Sequence, residues 1–149
     1  MTAANIDIDH ASQQGGTTLF DCRGARMIAK SDTGLTVVSV RGEIDASNAD
    51  ELSHCASELV SDCGALIVDL ADIDFIGLDG LLALFALNIR CAGTATTWAL
   101  IASHAVNRLL QVADQDRLIP AVGSATEALL LVRRSNRVRR SLQLVSPTG

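Results

Sequence analysis

Apolar residues in this chain come in two spacings that alternate from Ala25 to Val132. Short apolar runs of strand length are followed by stretches in which apolar residues recur every three or four positions, as on one face of a helix. Ala25 to Lys30 and Leu35 to Val40 are β-like runs on either side of Ser31-Asp-Thr-Gly34, a hairpin signal because Asp and Gly supply turn conformations. Thr17 to Asp21 adds a short edge strand. Gly42-Glu-Ile-Asp45 closes the second strand of the hairpin, and Ser47 or Asn48 can cap a helix with Leu52, Cys55, Ala56, Leu59 and Val60 on its inner face. Cys63-Gly64 stops that helix.

Ala65 to Leu70 is almost continuously apolar, as a central strand covered on both faces should be. A turn leads to Asp79, where a second helix is expected to open and to run over Leu81–Cys91, with an exposed side only near Asn88 and Arg90. Thr96 to Ile101 predicts a strand. His104 to Ala113 predicts a helix capped by Ser103, with Val106, Leu109, Leu110 and Ala113 on one face. Leu118 to Val122 predicts a last short strand. Ser124-x-x-Glu127 is a capping box for a final helix from Ala125 to about Arg133.

The predicted order is β-β-α-β-α-β-α-β-α, an α/β fold with a mixed, mostly parallel sheet and crossover helices. Residues 1–16 are polar and aperiodic and are expected to form a flexible lead. Residues 17–132 make one domain. Residues 133–149 form a basic tail, either an extension of the last helix or a loose end.

Composition narrows the class. With 149 residues, 48% of them hydrophobic, the chain can bury a core and is not a disordered polymer. Acidic or basic residues interrupt every long apolar run, and no signal peptide is recognisable, so a cytoplasmic location is expected. The tail holds five arginines (133, 134, 137, 139 and 140) and no acid; the rest of the chain holds seven basic and seventeen acidic residues. An acidic body argues against nucleic-acid binding and favours a basic partner surface. Cys22, Cys55, Cys63 and Cys91 lack the spacing of a metal site or a CxxC pair and read as reduced thiols.

Candidate chemistry is sparse. Asp69, Asp72 and Asp74 could suggest a cation or aspartyl-phosphate pocket, but a receiver-like site also needs acids on an earlier strand and a distant lysine, and the chain's single lysine is Lys30. Gly77-x-x-Gly80 lacks the Lys-Ser/Thr of a phosphate-binding loop. Ser103 and His104 are neighbours without a nucleophile elbow. No catalytic set, metal or cofactor is expected.

Three stretches, taken in order, resemble the STAS domain of anti-sigma-factor antagonists: Val37-Val-Ser-Val-Arg-Gly-Glu-Ile-Asp45, Leu66 to Leu81 (LIVDLADIDFIGLDGL), and Ile119 to Leu129 (IPAVGSATEAL). The resemblance covers about residues 25–132. It implies a non-catalytic regulator that binds an anti-sigma factor or related kinase-fold protein. Nucleic acid and membrane are not expected as partners, and a second copy of the chain is a further candidate. The implied partner-binding residues are Glu43, Asp45, Gly77, Leu78, Asp79, Gly80 and Leu81.

In such proteins the second stretch ends Asp-Ser-Ser/Thr-Gly-Leu, and the second hydroxyl is phosphorylated by the partner. Here Gly77 stands for the Asp, Leu78 for the first Ser and Asp79 for the phosphoacceptor, while Gly80 and Leu81 are kept. Asp79 has three readings: a partial mimic of the phosphorylated state, an acidic contact for a partner that does not phosphorylate it, or a plain helix cap. Ser135 and Ser141 follow paired arginines and are candidate phosphorylation sites in the tail. The alternative within the family is a regulatory module that binds a small ligand or nucleotide.

Overall fold

The computed structural model describes residues 16–60 and 64–145, with residues 136–145 as backbone only. The expected N-terminal lead, apart from Gly16, and the expected helix stop at Cys63 lie outside the described residues. The elements are β1 (Thr17–Cys22), β2 (Ala25–Asp32), β3 (Leu35–Ile44), α1 (Ala49–Val60), β4 (Ala65–Leu70), β5 (Ile73–Ile76), α2 (Leu78–Gly93), β6 (Thr97–Ala102), α3 (His104–Ala113), β7 (Ala121–Val122) and α4 (Ala125–Val145).

The sheet runs β1-β2-β3-β4-β6-β7, with β5 paired to β3 off this path. β1–β2 and β2–β3 are antiparallel, and the remaining pairs are parallel. The mixed, mostly parallel sheet is thus as expected, with two strands more than the predicted order. β1 is a full edge strand. β5 was hidden in the sequence because Asp72 and Asp74 break the apolar run into which Ile73 and Ile76 fall.

Both antiparallel connections are two-residue turns with left-handed central residues: Arg23 and Gly24 (φ 31° and 93°), then Thr33 and Gly34 (φ 42° and 84°). Their twist suits a hairpin. The second turn is therefore tighter than Ser31–Gly34, and β2 runs on to Asp32. The last strand is also shorter than Leu118–Val122; only Ala121 and Val122 pair with β6, while the Pro120 carbonyl accepts from the Leu100 N–H at 2.9 Å.

Helices α1, α2 and α3 share one face of the sheet. Leu52, Cys55, Val60, Leu81, Leu84, Leu87, Val106 and Leu110 join Val38, Val68, Leu70, Trp98 and Leu100 in one apolar cluster. α4 lies on the other face, where Ala128 and Val132 pack on Ala65, Ile67, Ala99 and Ile101. Its backbone continues without a break past Arg133 to Val145, so the basic segment through Val145 extends the helix. Cys22, Cys55 and Cys91 are buried and form no disulfide.

Candidate functional site

The site is built where β3 changes partners. Over Leu35–Ser39, β3 pairs with β4; a register shift at Gly42/Glu43 then turns its last residues onto β5. Only glycine serves at position 42. Its φ is 107°, and a Cβ there would lie 2.3 Å from the Gly24 carbonyl oxygen. Beyond the shift, Glu43 is opposite Phe75 and Ile44 opposite Ile76. The next residues, Asp45 and Gly77, consequently leave the sheet side by side.

Asp45 opens a tight turn into α1. Its carboxylate accepts the Ser47 backbone N–H at 2.9 Å and also the Ser47 hydroxyl. These two bonds, the hydroxyl foremost, hold its pKa below the ordinary value of 3.8. Beneath the turn lies Asn48, only 1% exposed. Its Oδ1 accepts the Asp45 N–H at 3.0 Å. Its Nδ2 donates to the carbonyls of Arg23 and Glu43, both at 2.9 Å, and of Cys22 at 3.3 Å. Asn48 stands where a helix cap was expected, yet its carboxamide ties the β1–β2 turn, the end of β3 and the Asp45 turn together.

The second half of the site is the entry to α2. Gly77, with φ −92° and ψ −176°, occupies the N-cap position, and no side chain caps the helix. Asp79 is therefore not the cap. It is the second residue of the helix, exposed, with its charge near the positive end of the helix dipole. Gly80 is buried because a Cβ would come within 2.7 Å of Ile76 Cγ1 and 2.8 Å of Ile44 Cγ2. Leu81 is in the core. Of the seven residues expected at a partner surface, Glu43, Leu78 and Asp79 are exposed, Asp45 and Gly77 half-buried, and Gly80 and Leu81 support them from below.

An apolar surface missing from the sequence reading surrounds Asp79. Phe75 is 50% exposed, Leu78 66%, Leu82 56% and Ile89 73%. Leu78, Leu82, the half-buried Phe85 and Ile89 follow one another at steps of four, three and four, so they form one line along α2. The expectation that α2 exposes only the region of Asn88 and Arg90 is corrected here. Asn88 instead accepts the Trp98 indole N–H at 3.0 Å, which fixes the rotation of α2 and turns the leucine line outward. The sequence did carry a signal: α2 is apolar on nearly every side, but in a domain this size only one side can be covered. A groove of about 530 Å³ continues this surface between β5 and α3, lined by Phe75, Leu109 and Val112, with Asp74 and Arg108 at its rim.

The remaining candidates have structural roles. Ser103 caps α3 by accepting the Val106 N–H at 3.2 Å, and Ser124 Oγ accepts the Glu127 N–H at 3.2 Å. Asp69 accepts the Ala71 N–H at 2.9 Å, and Asp72 lies 3.7 Å from the Arg41 guanidinium. Asp114, not singled out in the sequence, is buried and accepts the Leu118 and Ile119 N–H groups, both at 2.9 Å. Ser135 is exposed on α4; Ser141 lies on the same helix, in its backbone-only part. Among the described residues no helix is long and apolar enough to cross a membrane.

Comparison with known proteins is consistent with this geometry. The model of the STAS domain matches residues 26–128. Osmosensory protein A of Mycobacterium tuberculosis is 29% identical over 136 residues, which cover 89% of this chain and 85% of that protein. The crystal structure of an anti-sigma factor antagonist from Mycobacterium paratuberculosis is 30% identical and aligns with a TM-score of 0.65 over 73% of this chain and 94% of that one. The anti-sigma factor antagonist SpoIIAA in its unphosphorylated form aligns with a TM-score of 0.58 at 14% identity, over 76% of this chain and 96% of that one, a likeness of fold alone.

Proposed function

The chain belongs to the STAS domain family, and from that premise we propose that it is a non-catalytic regulator of the anti-sigma factor antagonist kind. It acts by binding an anti-sigma factor or a related kinase-fold protein. The observation that carries this reading is the exposed surface of Phe75, Leu78 and Leu82 around Asp79. Exposed apolar side chains gathered at one place and rimmed by charge mark a protein-binding surface. Glu43, Asp45 and Asp79 supply that rim, and a partner with basic residues there gains complementarity.

In this reading Asp79 is a standing acidic contact. It carries about one negative charge, against roughly −1.5 to −2 for a phosphorylated hydroxyl, and offers fewer acceptor oxygens. Binding is then governed by the abundance of the two proteins rather than by phosphorylation of this loop. Any phosphorylation acts elsewhere, with Ser135 and Ser141 as candidates.

The test is a pull-down and a phosphorylation assay with the native protein and the Asp79→Ser variant. Native protein that captures an anti-sigma factor supports the reading. Capture only by the Ser variant would reassign Asp79 as a mimic of the phosphorylated, released state. No capture by either, with thermal stabilisation by a nucleotide, would favour a ligand-binding module.

A further inference from the structure

The two ends of the sheet are finished differently. At one end β7 is two residues long and follows Pro120, so it offers little backbone for pairing. At the other end β1 presents the whole of Thr17–Cys22. It holds no proline and no lysine, and its register with β2 runs from Thr17↔Lys30 to Cys22↔Ala25 without a bulge. Edge strands usually carry such devices, because an open row of N–H and C=O groups recruits another strand. Among the described residues no strand pairs with the outer side of β1.

The register decides which groups are open. Cys22 and Ala25 close the two-residue turn at Arg23 and Gly24, and at the far end of the ladder the Ser31 N–H donates to the Gly16 carbonyl at 3.0 Å. Even-numbered residues of β1 therefore bond to β2, since bonding pairs alternate along an antiparallel ladder. Thr17, Leu19 and Asp21 turn their N–H and C=O groups outward. Their side chains lie on the sheet face away from α1. Phe20 and Cys22 are in the core on the helix side, whereas Leu19 is 42% exposed.

The occupant that fits this edge is the same strand of a second copy. In an antiparallel pair with Leu19 opposite Leu19, Thr17 bonds to the other copy's Asp21 and every open group finds a partner. A shift of two residues either way leaves one of the open residues unpaired. A shift of one residue sets the exposed face of one strand against the core face of the other. The side chains agree with the same register. Ile28, half-buried and opposite Leu19 on β2, makes the junction an apolar row of Ile28, Leu19, Leu19 and Ile28. On each side of it runs a row of Lys30, Thr17, the other copy's Asp21 and that copy's Arg26. Asp21 already lies 3.0 Å from Arg26, and Lys30 has no ion pair among the described residues. A carboxylate thus sits between two cations in both flanking rows, and no like charges are directly opposed.

We propose that two copies of the chain join through β1, making one continuous sheet across a two-fold axis at Leu19. The axis makes the contact reciprocal and closes it at two copies. None of Phe75, Leu78, Asp79 and Leu82 belongs to β1 or β2, so the contact does not rest on the partner-binding reading.

Sedimentation velocity of the full chain from micromolar to sub-millimolar concentration tests the pairing. The expected mass rises to twice that of the chain. Leu19→Pro removes an N–H that β2 does not use, and Leu19→Lys sets two ammonium groups face to face on the axis. Each reduces the mass to that of a single chain, with an unchanged circular dichroism spectrum. Leu19→Asp does the same, and mixing it with Leu19→Lys restores the double mass because opposite charges then meet. Amide exchange followed by NMR gives an independent reading. The Leu19 and Asp21 amides slow as concentration rises, while those of Thr18 and Phe20, held by β2, do not change. A single-chain mass at every concentration overturns the proposal, and so does a double mass that survives both Leu19→Pro and Leu19→Lys. A monomer whose Leu19 and Asp21 amides are protected at every concentration also overturns it, since another part of the same chain would then hold the edge.

Discussion

Gly77 donates its backbone N–H to the carbonyl of Ile44 across 2.9 Å. This bond continues the β3–β5 ladder to the threshold of α2, so the turn carrying Asp45 and the helix start carrying Asp79 are fixed to the same edge. The arrangement asks different things of the two glycines beside it. At Gly77 a Cβ would meet Phe75 Cε2 at 3.5 Å, an ordinary contact, and φ is one that any residue adopts. At Gly80 the added carbon collides with Ile44 and Ile76.

Gly77→Asp should therefore be accepted and should supply the missing cap, raising stability by a few tenths of a kcal/mol, about the usual difference between Gly and Asp at an N-cap. Gly80→Ala should lower stability by about 1–3 kcal/mol, the usual cost of overpacking. Urea unfolding with an unchanged slope measures both. Equal losses at the two positions would contradict the packing described for this loop.

Asn48 is expected to be the most sensitive polar residue of the site. Asn48→Ala removes the partner of three carbonyls and one N–H and should cost roughly 2–4 kcal/mol. Asn48→Asp keeps the shape but turns an oxygen toward the carbonyls of Cys22, Arg23 and Glu43, so it should cost at least as much. Equilibrium unfolding of the pair would show it; an Asp variant near wild-type stability would exclude the assigned hydrogen-bond directions.

Asp45 gives the pH dependence. Its folded pKa is lowered by the Ser47 hydroxyl and backbone N–H. A lowered carboxylate stabilises the fold above its unfolded pKa, and that stabilisation is lost as pH falls through the folded value. Carboxyl carbon shifts followed by NMR should place the Asp45 midpoint below the ordinary aspartate value of 3.8. Ser47→Ala should move the Asp45 midpoint upward. An unmoved midpoint would mean the hydroxyl does not hold the charge.

The parts of the fold legible in sequence were those in which pattern and environment agree. Ala65–Leu70 is apolar except for Asp69 because both faces of β4 are covered, and Ser103 and Ser124 stand where caps are needed. β5 was not legible because it is only four residues long and carries Asp74, with Phe75 half exposed. Asp79 looked like a cap because aspartate so often is one; the cap proved to be Gly77, whose backbone conformation cannot be read from a residue type that permits several. Asn48 was recognised as a helix-start residue, but its partners at Cys22 and Arg23 come from a distant turn, which local pattern does not specify. The leucine line on α2 was hidden because an apolar helix looks the same whether or not something covers its second side.

That second side can be separated from the first by substitution. Leu84 is in the core and Leu82 is more than half exposed, yet both are leucines two residues apart on α2. Leu84→Ala should cost about 2–4 kcal/mol, as buried leucine truncations do. Leu82→Ala should change stability by no more than about 0.5 kcal/mol, because no tightly packed cavity is left behind. If the exposed line is a binding surface, Leu82→Ala and Ile89→Ala should still weaken capture of an anti-sigma factor, each by roughly tenfold for about 1.4 kcal/mol of lost contact. Leu82→Ala and Ile89→Ala variants that fold and bind like the native protein would leave that line without a role in recognition.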